Sequence, residues 1–340
     1  MGGFCFGVKI MKKKFHRALR AALRPLLAAL AFAVIAAAPA AADEATPPLV
    51  GVGWLNSHLH DAHQVVLDVR SAIDGGGTKA YLAAHIPGSV HTDYDKGGWR
   101  VTRHNVPFML PGVPELEALI GNLGIDEGTR VIVVPAGVSF TDFGSAARVY
   151  WTLKVAGLKN VSILDGGVAA WKAAGLPFDS GAHQPSATIF NVKLDNSLLA
   201  TVSDVQKIET AHNATLIDAR PAAFFLGKVK APGAKAYGHI PGAVNLSNAD
   251  FYDAKTNRLK PKAELAKLAA SVPTDKPAVS YCNTGHWAAT DWFVLHEVLG
   301  RKNVALYDGS MVEWTADAHR PVVSSRTKWD DLKKALGLGS

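Results

Sequence analysis

The order of motifs along this chain is repeated, and the repetition limits the folds that its 340 residues can adopt. In each half an apolar run ends in Asp-x-Arg, a His-Ile-Pro-Gly turn and a helical pattern follow, and a later apolar run ends in Asp-Gly. The matched segments are residues 67–70 and 216–220, 85–90 and 238–244, 114–123 and 263–270, and 163–166 and 304–309. Four shared motifs in one order are hard to obtain by chance, so we infer a tandem duplication.

Each half alternates short apolar runs with helical patterns. The run at residues 131–134 is apolar throughout, which is typical of a strand buried on both faces. The alternation predicts an α/β protein with two tandem domains, each a mainly parallel sheet with helices on both faces. Further helices are expected at residues 146–155, 168–174 and 328–336. We place the domains at residues 50–178 and 198–323, a polar linker at 179–197 and a C-terminal tail at 324–340.

The chain begins with a basic segment, an apolar segment and a run of small residues, in that order. Residues 1–42 hold seven of the 36 lysines and arginines and none of the 29 acidic residues. The apolar run at residues 26–35 is shorter than the roughly 20 residues of a membrane span, and three alanines precede Asp43. This order is typical of a secretory signal peptide. We expect cleavage near Ala42 and a periplasmic protein exported through a Sec-type signal, with a retained membrane anchor as the alternative.

Composition excludes several classes of partner. Without residues 1–42 the chain carries 29 basic and 29 acidic residues, so its bulk charge gives no indication of nucleic-acid binding. Removal of the signal leaves no segment for stable membrane insertion. No spacing among the 13 histidines indicates a set of metal ligands, so we expect neither a metal nor another cofactor.

Cys282 is expected to be the single cysteine of the mature protein, because Cys5 lies in the signal segment. It follows the apolar run at residues 278–281 and precedes a helical pattern that includes Trp292. Between a strand and a helix N-terminus, unpartnered N–H groups and the helix dipole favour a thiolate. The pattern predicts a nucleophile, with an inert buried thiol as the alternative. Pro135 stands at the matching place in the first half, so we expect one catalytic and one inactive domain.

Together these motifs resemble the rhodanese family, in particular its tandem-domain group of thiosulfate and 3-mercaptopyruvate sulfurtransferases with an inactive first domain. The similarity covers roughly residues 51–320 and is carried by residues 67–70, 85–88, 218–220, 238–242, the Cys282 loop, 308–310 and 313–314. The resemblance implies two rhodanese-like domains. It also implies that Cys282 takes up a sulfane sulfur as a persulfide and passes it to a thiophilic acceptor such as cyanide or a thiol.

The loop after Cys282 supplies the candidate persulfide- and substrate-binding residues, which are Asn283, Thr284, Gly285, His286 and Trp287. Successive N–H groups of such a loop can surround an anionic persulfide, and Gly285 permits tight curvature. His286 is expected to titrate near neutral pH and to act as a proton donor or anion contact, or else to lie exposed at the helix start. Trp287 is expected to line the pocket or to pack between the domains.

Three further residues are candidates for supporting roles: Asp218, Arg220 and Ser310. Asp218 and Arg220 end the strand that we expect beside the Cys282 strand, where they either orient the loop or form a structural ion pair. Ser310 follows a strand at the edge where open α/β sheets bind ligands. In the resembling proteins the residue at this place faces the active cysteine.

Departures from the resembling group concern the sulfur donor. Members usually carry basic residues in the active loop and an arginine soon after Asp-x-Arg, whereas this chain has Asn283, Thr284 and Phe224 there. Lysines that could supply the missing charge follow in the next loop; they are Lys228, Lys230 and Lys235. We therefore expect measurable but poor use of thiosulfate.

The sequence therefore predicts an exported sulfurtransferase. The alternative is a persulfide carrier or redox partner that does not turn over. Related phosphatases close a longer loop with an arginine, and Ala288 stands at that place, so nothing in the loop would bind a phosphate in a bidentate manner.

Overall fold

The structure is a computed structural model that describes residues 46–327 and Trp329. The predicted signal peptide and, apart from Trp329, the predicted helix at residues 328–336 lie outside the described residues. Among the described helices, none combines the length and the apolar character that a membrane crossing requires.

The first domain is built on a five-stranded parallel sheet. The strands of the whole domain, including two outside this sheet, are β1 (Leu49–Val50), β2 (Gln64–Asp68), β3 (Val90–His91), β4 (Val101–Arg103), β5 (Val106–Met109), β6 (Arg130–Val134) and β7 (Val161–Leu164). Its helices are α1 (Val52–His58), α2 (Gly77–Ala83), α3 (Val113–Asn122), α4 (Phe140–Val155) and α5 (Gly167–Ala173), with a 3-10 turn at Ala72–Asp74. The parallel sheet has the order β1-β7-β6-β2-β3, and β4 and β5 form a separate antiparallel pair.

The second domain repeats this plan with a four-stranded parallel sheet. The strands of the whole domain, including two outside this sheet, are β8 (Thr215–Asp218), β9 (Val244–Asn245), β10 (Tyr252–Asp253), β11 (Arg258–Leu259), β12 (Ala278–Tyr281) and β13 (Val304–Leu306). Its helices are α6 (Val202–Ala211), α7 (Ala222–Phe225), α8 (Lys262–Leu268), α9 (Ala288–Trp292) and α10 (Ser310–Trp314), with 3-10 turns at Asn196–Leu198, Asn248–Phe251 and Ala269–Ser271. The sheet order is β13-β12-β8-β9, and β10 pairs with β11.

The predicted α/β fold and its duplication are confirmed by the strand register. Asp68 on β2 pairs with Val134 on β6, and Asp218 on β8 pairs with Tyr281 on β12. In both domains the segment after the second of these strands therefore leaves the same edge of the sheet. In the second domain that segment begins with Cys282.

Two helices differ from the predicted pattern. Helix α4 begins at Phe140 rather than at residue 146, because the Ser139 hydroxyl caps it by accepting from the Asp142 N–H at 3.1 Å. The helical pattern after the Cys282 loop is divided into α9 and a π-helical turn at Phe293–Val298. Such turns widen the helix and shift the side chains that follow.

The apolar core continues from one domain into the other. Helix α4 of the first domain packs against α9 and the π-helical turn of the second. Phe143 lies edge-on to Phe293 with ring centroids 5.9 Å apart, and Tyr150 lies edge-on to the same ring at 4.9 Å. Edge-to-face contacts of this kind add to the free energy of burial. Both domains belong to one compact unit, and the Cys282 loop lies beside this shared core.

Candidate active site

Cys282 lies at the carboxyl end of β12, between the neighbouring strands β8 and β13. The residue is only 1% exposed. This is the edge at which open parallel sheets bind ligands, because the loops that follow adjacent strands meet there. The strand, loop and helix around Cys282 follow each other as the apolar pattern predicts.

Ser310 holds the base of the loop. Its Oγ accepts hydrogen bonds from the N–H groups of Cys282 and Gly285, each at 3.0 Å, and its own hydroxyl donates to the Tyr307 carbonyl at 2.8 Å. The backbone of Ser310 has φ 50°, a left-handed conformation that is uncommon for serine and that the surrounding bonds must stabilise. Ser310 therefore acts on Cys282 through the loop backbone.

Most backbone N–H groups of the loop at residues 283–287 have no hydrogen-bond partner among the described residues. Gly285 donates to Ser310, whereas the N–H groups of Asn283, Thr284, His286 and Trp287 donate no hydrogen bond to any residue that the structure describes. The carbonyl groups of Cys282 and Asn283 are taken up by the N–H groups of Met311 and Val312, both at 3.1 Å. Consecutive free N–H groups of this kind bind anions.

In the matching loop of the first domain, a carboxylate of the protein occupies the backbone N–H groups. The Asp142 carboxylate accepts from the N–H groups of Ala136 at 3.0 Å, Gly137 at 2.6 Å and Val138 at 3.1 Å. Burial raises the pKa of Asp142 to about 6 although these three bonds favour its anion. Among the described residues of the second domain, no carboxylate accepts a hydrogen bond from the N–H groups of the Cys282 loop.

His286 is buried where the two domains meet. Its Nε2–H donates to the Thr141 carbonyl at 2.9 Å, and its Nδ1 accepts from the Tyr94 hydroxyl at 2.7 Å. Nε2 carries a proton, because the Thr141 carbonyl oxygen can only accept. Burial and then the charge of Arg100 lower the pKa of His286 to about 3, which leaves the ring neutral at ordinary pH. The expectation that His286 titrates near neutral pH is wrong, and so is the alternative that it lies exposed.

Trp287 packs between the domains, which is one of the two roles considered for it. Its ring centroid lies 6.2 Å from that of Phe140 and 5.8 Å from that of Phe224, and its Nε1–H donates to Thr141 Oγ1 at 3.3 Å. Phe224 is the residue that stands in place of an expected arginine. The partly exposed side of the loop is therefore aromatic where a cation was expected.

Asp218 and Arg220 form a buried ion pair that also contacts the loop. Arg220 donates to both oxygens of Asp218, at 2.8 and 2.6 Å, and its Nη1 lies 3.4 Å from Asn283 Oδ1. The first domain has the same pair in Asp68 and Arg70, at 2.7 Å, without a cysteine beside it. The ion pair is therefore common to both domains, and the contact with Asn283 is particular to the second.

Arg148 reaches from α4 of the first domain to the loop of the second. Its Nη1 lies 3.4 Å from the Thr284 carbonyl oxygen, and its Nη2 lies 3.5 Å from Asp308 Oδ2. The same oxygen of Asp308 accepts from the Leu110 N–H at 2.6 Å. Gly285 makes the approach possible, because a Cβ at that position would overlap Arg148 Nη1. The first domain thus contributes a fully buried cation to the site.

Sequence patterns did not indicate that Tyr94, Thr141 and Arg148 belong to the site. Arg148 carried one usable signal, since it interrupts an otherwise apolar helical stretch and arginine is rarely buried without a partner. Tyr94 and Thr141 carried none, because their contacts with His286 join segments far apart in the chain.

Comparison with known proteins agrees with this architecture. The rhodanese-like domain model matches residues 51–174 and 201–317. The 3-mercaptopyruvate sulfurtransferase of Escherichia coli strain K12 is 34% identical over 283 residues, covering 80% of this chain and 96% of the relative. The mitochondrial thiosulfate/3-mercaptopyruvate sulfurtransferase 1 of Arabidopsis thaliana is 31% identical over 305 residues, covering 82% and 78%.

A solved structure shows the same similarity. The crystal structure of a 3-mercaptopyruvate sulfotransferase from Escherichia coli matches with a TM-score of 0.66 and 32% identity, over 78% of this chain and 99% of that one. The fold and the site define a sulfur-transferring enzyme made of two copies of one α/β domain. The chain belongs to the rhodanese family, in its group of tandem-domain sulfurtransferases, and the resemblance inferred from the motifs is confirmed.

Proposed function

We propose that this enzyme moves a sulfane sulfur from a donor such as thiosulfate to cyanide or a thiol through a persulfide on Cys282. The Cys282 thiolate attacks the outer sulfur of thiosulfate, the sulfur–sulfur bond of the donor breaks, and sulfite leaves with the bonding electron pair. The acceptor then attacks the outer sulfur of the persulfide and releases the thiolate. With cyanide the product is thiocyanate, and no external oxidant or reductant is consumed.

The open set of N–H groups in the Cys282 loop carries this proposal. A persulfide anion or the charge that develops during its formation needs donors fixed in advance. The first domain supports the assignment, because the matching N–H groups there bind the Asp142 carboxylate. In the second domain no described carboxylate takes up the corresponding N–H groups, which leaves them to a ligand.

Persulfide formation is tested by the intact mass of the protein after incubation with thiosulfate. The parent is expected to gain one sulfur, to lose it on addition of cyanide, and to release thiocyanate over many cycles. Cys282→Ser should neither gain sulfur nor form thiocyanate, because a hydroxyl does not replace the thiolate nucleophile. Substantial thiocyanate from the serine variant would refute the assignment, and a single cycle without turnover would favour a carrier instead.

Thiosulfate capture is expected to be weak. Asn283, Thr284 and Phe224 stand where the group usually has cations. Arg148 and Arg220 are buried, and Lys230 Nζ already donates to the Ala234 carbonyl at 2.8 Å. A charge-assisted hydrogen bond contributes about 1.5–3 kcal/mol, so the absence of two should raise KM for thiosulfate by about two to four orders of magnitude, with less effect on kcat.

Steady-state kinetics with thiosulfate and cyanide test this expectation. Thr284→Lys should lower KM for thiosulfate, and Lys228→Ala provides a control in which the charge of the next loop is removed. A low KM in the parent that Thr284→Lys leaves unchanged would contradict the prediction. A KM that rises in Lys228→Ala would assign donor binding to residues 228–235.

We also propose that the enzyme acts in the periplasm after removal of residues 1–42. The basic, apolar and small segments in this order support export. N-terminal sequencing of the protein from a cell fractionation should begin near Asp43 in the periplasmic fraction. A cytoplasmic protein that retains Met1 or Met11 would count against the proposal.

A further inference from the structure

We propose that Arg148 of the inactive domain is the counter-charge of Cys282, holding the loop in place and stabilising the thiolate and persulfide anions. The inference rests on the proposed function, because it assigns a positioning residue to that reaction. It gives the domain without a cysteine a defined part in the chemistry.

The first argument is the reach of the side chain. Arg148 leaves helix α4, crosses the contact between the domains and ends against Thr284 and Gly285, two and three residues after Cys282. Its Nη1 donates to the Thr284 carbonyl at 3.4 Å. The left-handed backbone of Gly285, φ 73°, leaves the space that the guanidinium occupies. A residue that only joined the domains would not require this space inside the loop.

The second argument is the incomplete pairing of the guanidinium. Arg148 is fully buried, yet its contacts with Thr284, Phe108 and Asp308 are all 3.4–3.5 Å long, and its Nε has no partner among the described residues. Asp308 gives its shorter bond, 2.6 Å, to the Leu110 N–H. The guanidinium also lies over the Trp151 ring, 4.7 Å from its centroid. A buried cation that lacks a short bond to a carboxylate is nevertheless costly unless another negative charge lies nearby.

The third argument concerns the charges that surround Arg148. Burial lowers the pKa of Arg148, whereas the charges of Asp308, Tyr94 and Cys282 raise it and Arg100 lowers it. Tyr94 is held neutral at ordinary pH, because burial raises its pKa to about 12. The charge of Cys282 acts on Arg148 and on Arg220 alike, but Arg220 is already paired with Asp218 at 2.6 Å, whereas the carboxylate contact of Arg148, with Asp308, is 3.5 Å long. Loss of Arg148 should leave the anionic sulfur with less compensation.

The rate of Cys282 alkylation by iodoacetamide as a function of pH reports the thiolate directly. In Arg148→Met the midpoint of this profile should rise by about one pH unit or more, as expected when a nearby opposite charge is removed. Arg148→Lys should restore part of the shift. In the same variants the rate of sulfur uptake should fall at least about tenfold in kcat, with a smaller change in KM.

A second variant, expected to shift the alkylation midpoint in the opposite direction, separates this electrostatic role from a purely structural one. Asp308→Asn removes the competing carboxylate, so the whole charge of Arg148 acts on the sulfur and the alkylation midpoint should fall. Damage to the fold alone would shift the alkylation midpoints of Arg148→Met and Asp308→Asn in the same direction. Arg301→Met is the matched control, because Arg301 donates to the Val272 and Ala269 carbonyls at 3.1 and 3.2 Å and precedes β13, at the opposite end of the sheet from Cys282.

Unchanged alkylation profiles in folded Arg148→Met and Asp308→Asn would overturn the proposal, and so would shifts of the same sign. If Arg148→Met does not fold, the signs measured for Arg148→Lys and Asp308→Asn decide. The test is independent of turnover. A parent enzyme that gains no sulfur mass refutes the proposed function, whereas the alkylation profiles still decide whether Arg148 compensates the thiolate.

Discussion

At the scale of single residues, the site depends on side chains that fill the space between the domains. His286 shows this most directly, because both of its ring nitrogens are used within the protein, by Thr141 and Tyr94. A ring in this position cannot exchange protons with a substrate at ordinary pH. Its contribution is to fix the loop against helix α4, and its titration affects stability rather than catalysis.

The folded protein should lose stability below pH 6.5 because of His286. Its pKa is about 3 in the folded state and about 6.5 when unfolded, so the unfolded chain binds the proton first as the pH falls. The contribution is complete above pH 6.5 and amounts to about 2–3 kcal/mol lost by pH 4.5. Urea denaturation at pH 7 and pH 4.5 measures it.

His286→Gln is the matched variant for this measurement. A glutamine can donate to Thr141 and accept from Tyr94 without titrating, so the loss between pH 7 and pH 4.5 should be smaller by the same amount. Activity that rises toward pH 6 in the parent but not in His286→Gln would contradict the neutral state assigned here.

The local structure around a site residue could be predicted from the sequence where it depends on neighbouring residues in the chain. The strand before Cys282, the turn at Gly285 and the helix that follows are fixed by neighbours along the chain. The burial of His286 was not predictable, because it depends on Tyr94 and Thr141, which lie 192 and 145 residues away. A loop residue looks exposed until the opposing surface is known.

At the scale of elements, helix α4 of the first domain makes several of the contacts with the Cys282 loop. Thr141, Gly144 and Arg148 lie along one side of it, at the spacing of successive helical turns, and all three approach the Cys282 loop. Its helical pattern was predicted only from residue 146, because the first turn contains polar side chains. These polar groups include the Ser139 cap and the Asp142 carboxylate, so function accounts for the missing apolar pattern.

Farther along α4, Tyr150 ties the first domain to the π-helical turn of the second. Its hydroxyl donates to Glu297 at 2.8 Å, and His296 donates to the other oxygen of that carboxylate at 2.6 Å. Burial opposes ionisation, but these bonds outweigh it and lower the pKa of Glu297 to about 2. The stabilisation from this carboxylate is therefore present above pH 4.5 and is lost as the pH falls toward 2.

Tyr150→Phe should destabilise the protein by about 1.5–3 kcal/mol, the usual contribution of a hydrogen bond to a charged group. The ring remains packed on Phe293, so the loss reports the hydroxyl alone. Tyr81→Phe is the control, because the Tyr81 hydroxyl donates to the Ser89 carbonyl at 2.6 Å within the first domain. The free energy of unfolding is measured by urea denaturation at pH 7. An equal decrease in both variants would contradict a larger contribution from the hydrogen bond to Glu297.

At the scale of the whole molecule, the two domains share one apolar core. The largest buried cluster contains Phe143 and Tyr150 from the first domain and Trp292 and Phe293 from the second. The duplication predicts two similar domains, but it does not predict how their surfaces join. The residues that join them have no counterpart in the periodic patterns from which sheets and helices are recognised.

The shared core predicts that the domains unfold together. Separation would expose the aromatic contacts around Phe293 and leave Arg148 without its partners in the loop. Scanning calorimetry should therefore show one transition whose calorimetric and van 't Hoff enthalpies agree. Two resolved transitions, or a second domain that melts unchanged after the first has unfolded, would show that the interface contributes little.

The Asp142 carboxylate also decides how many donors one chain can engage. Two copies of an anion-binding loop could compete for the same scarce molecule, with every encounter at the copy without a thiol wasted. Because the Asp142 carboxylate occupies the N–H groups of the first copy, we expect this copy to bind neither an anionic sulfur donor nor the anion that leaves the other domain. If the proposed function is right, the duplicated enzyme should therefore bind one donor molecule per chain.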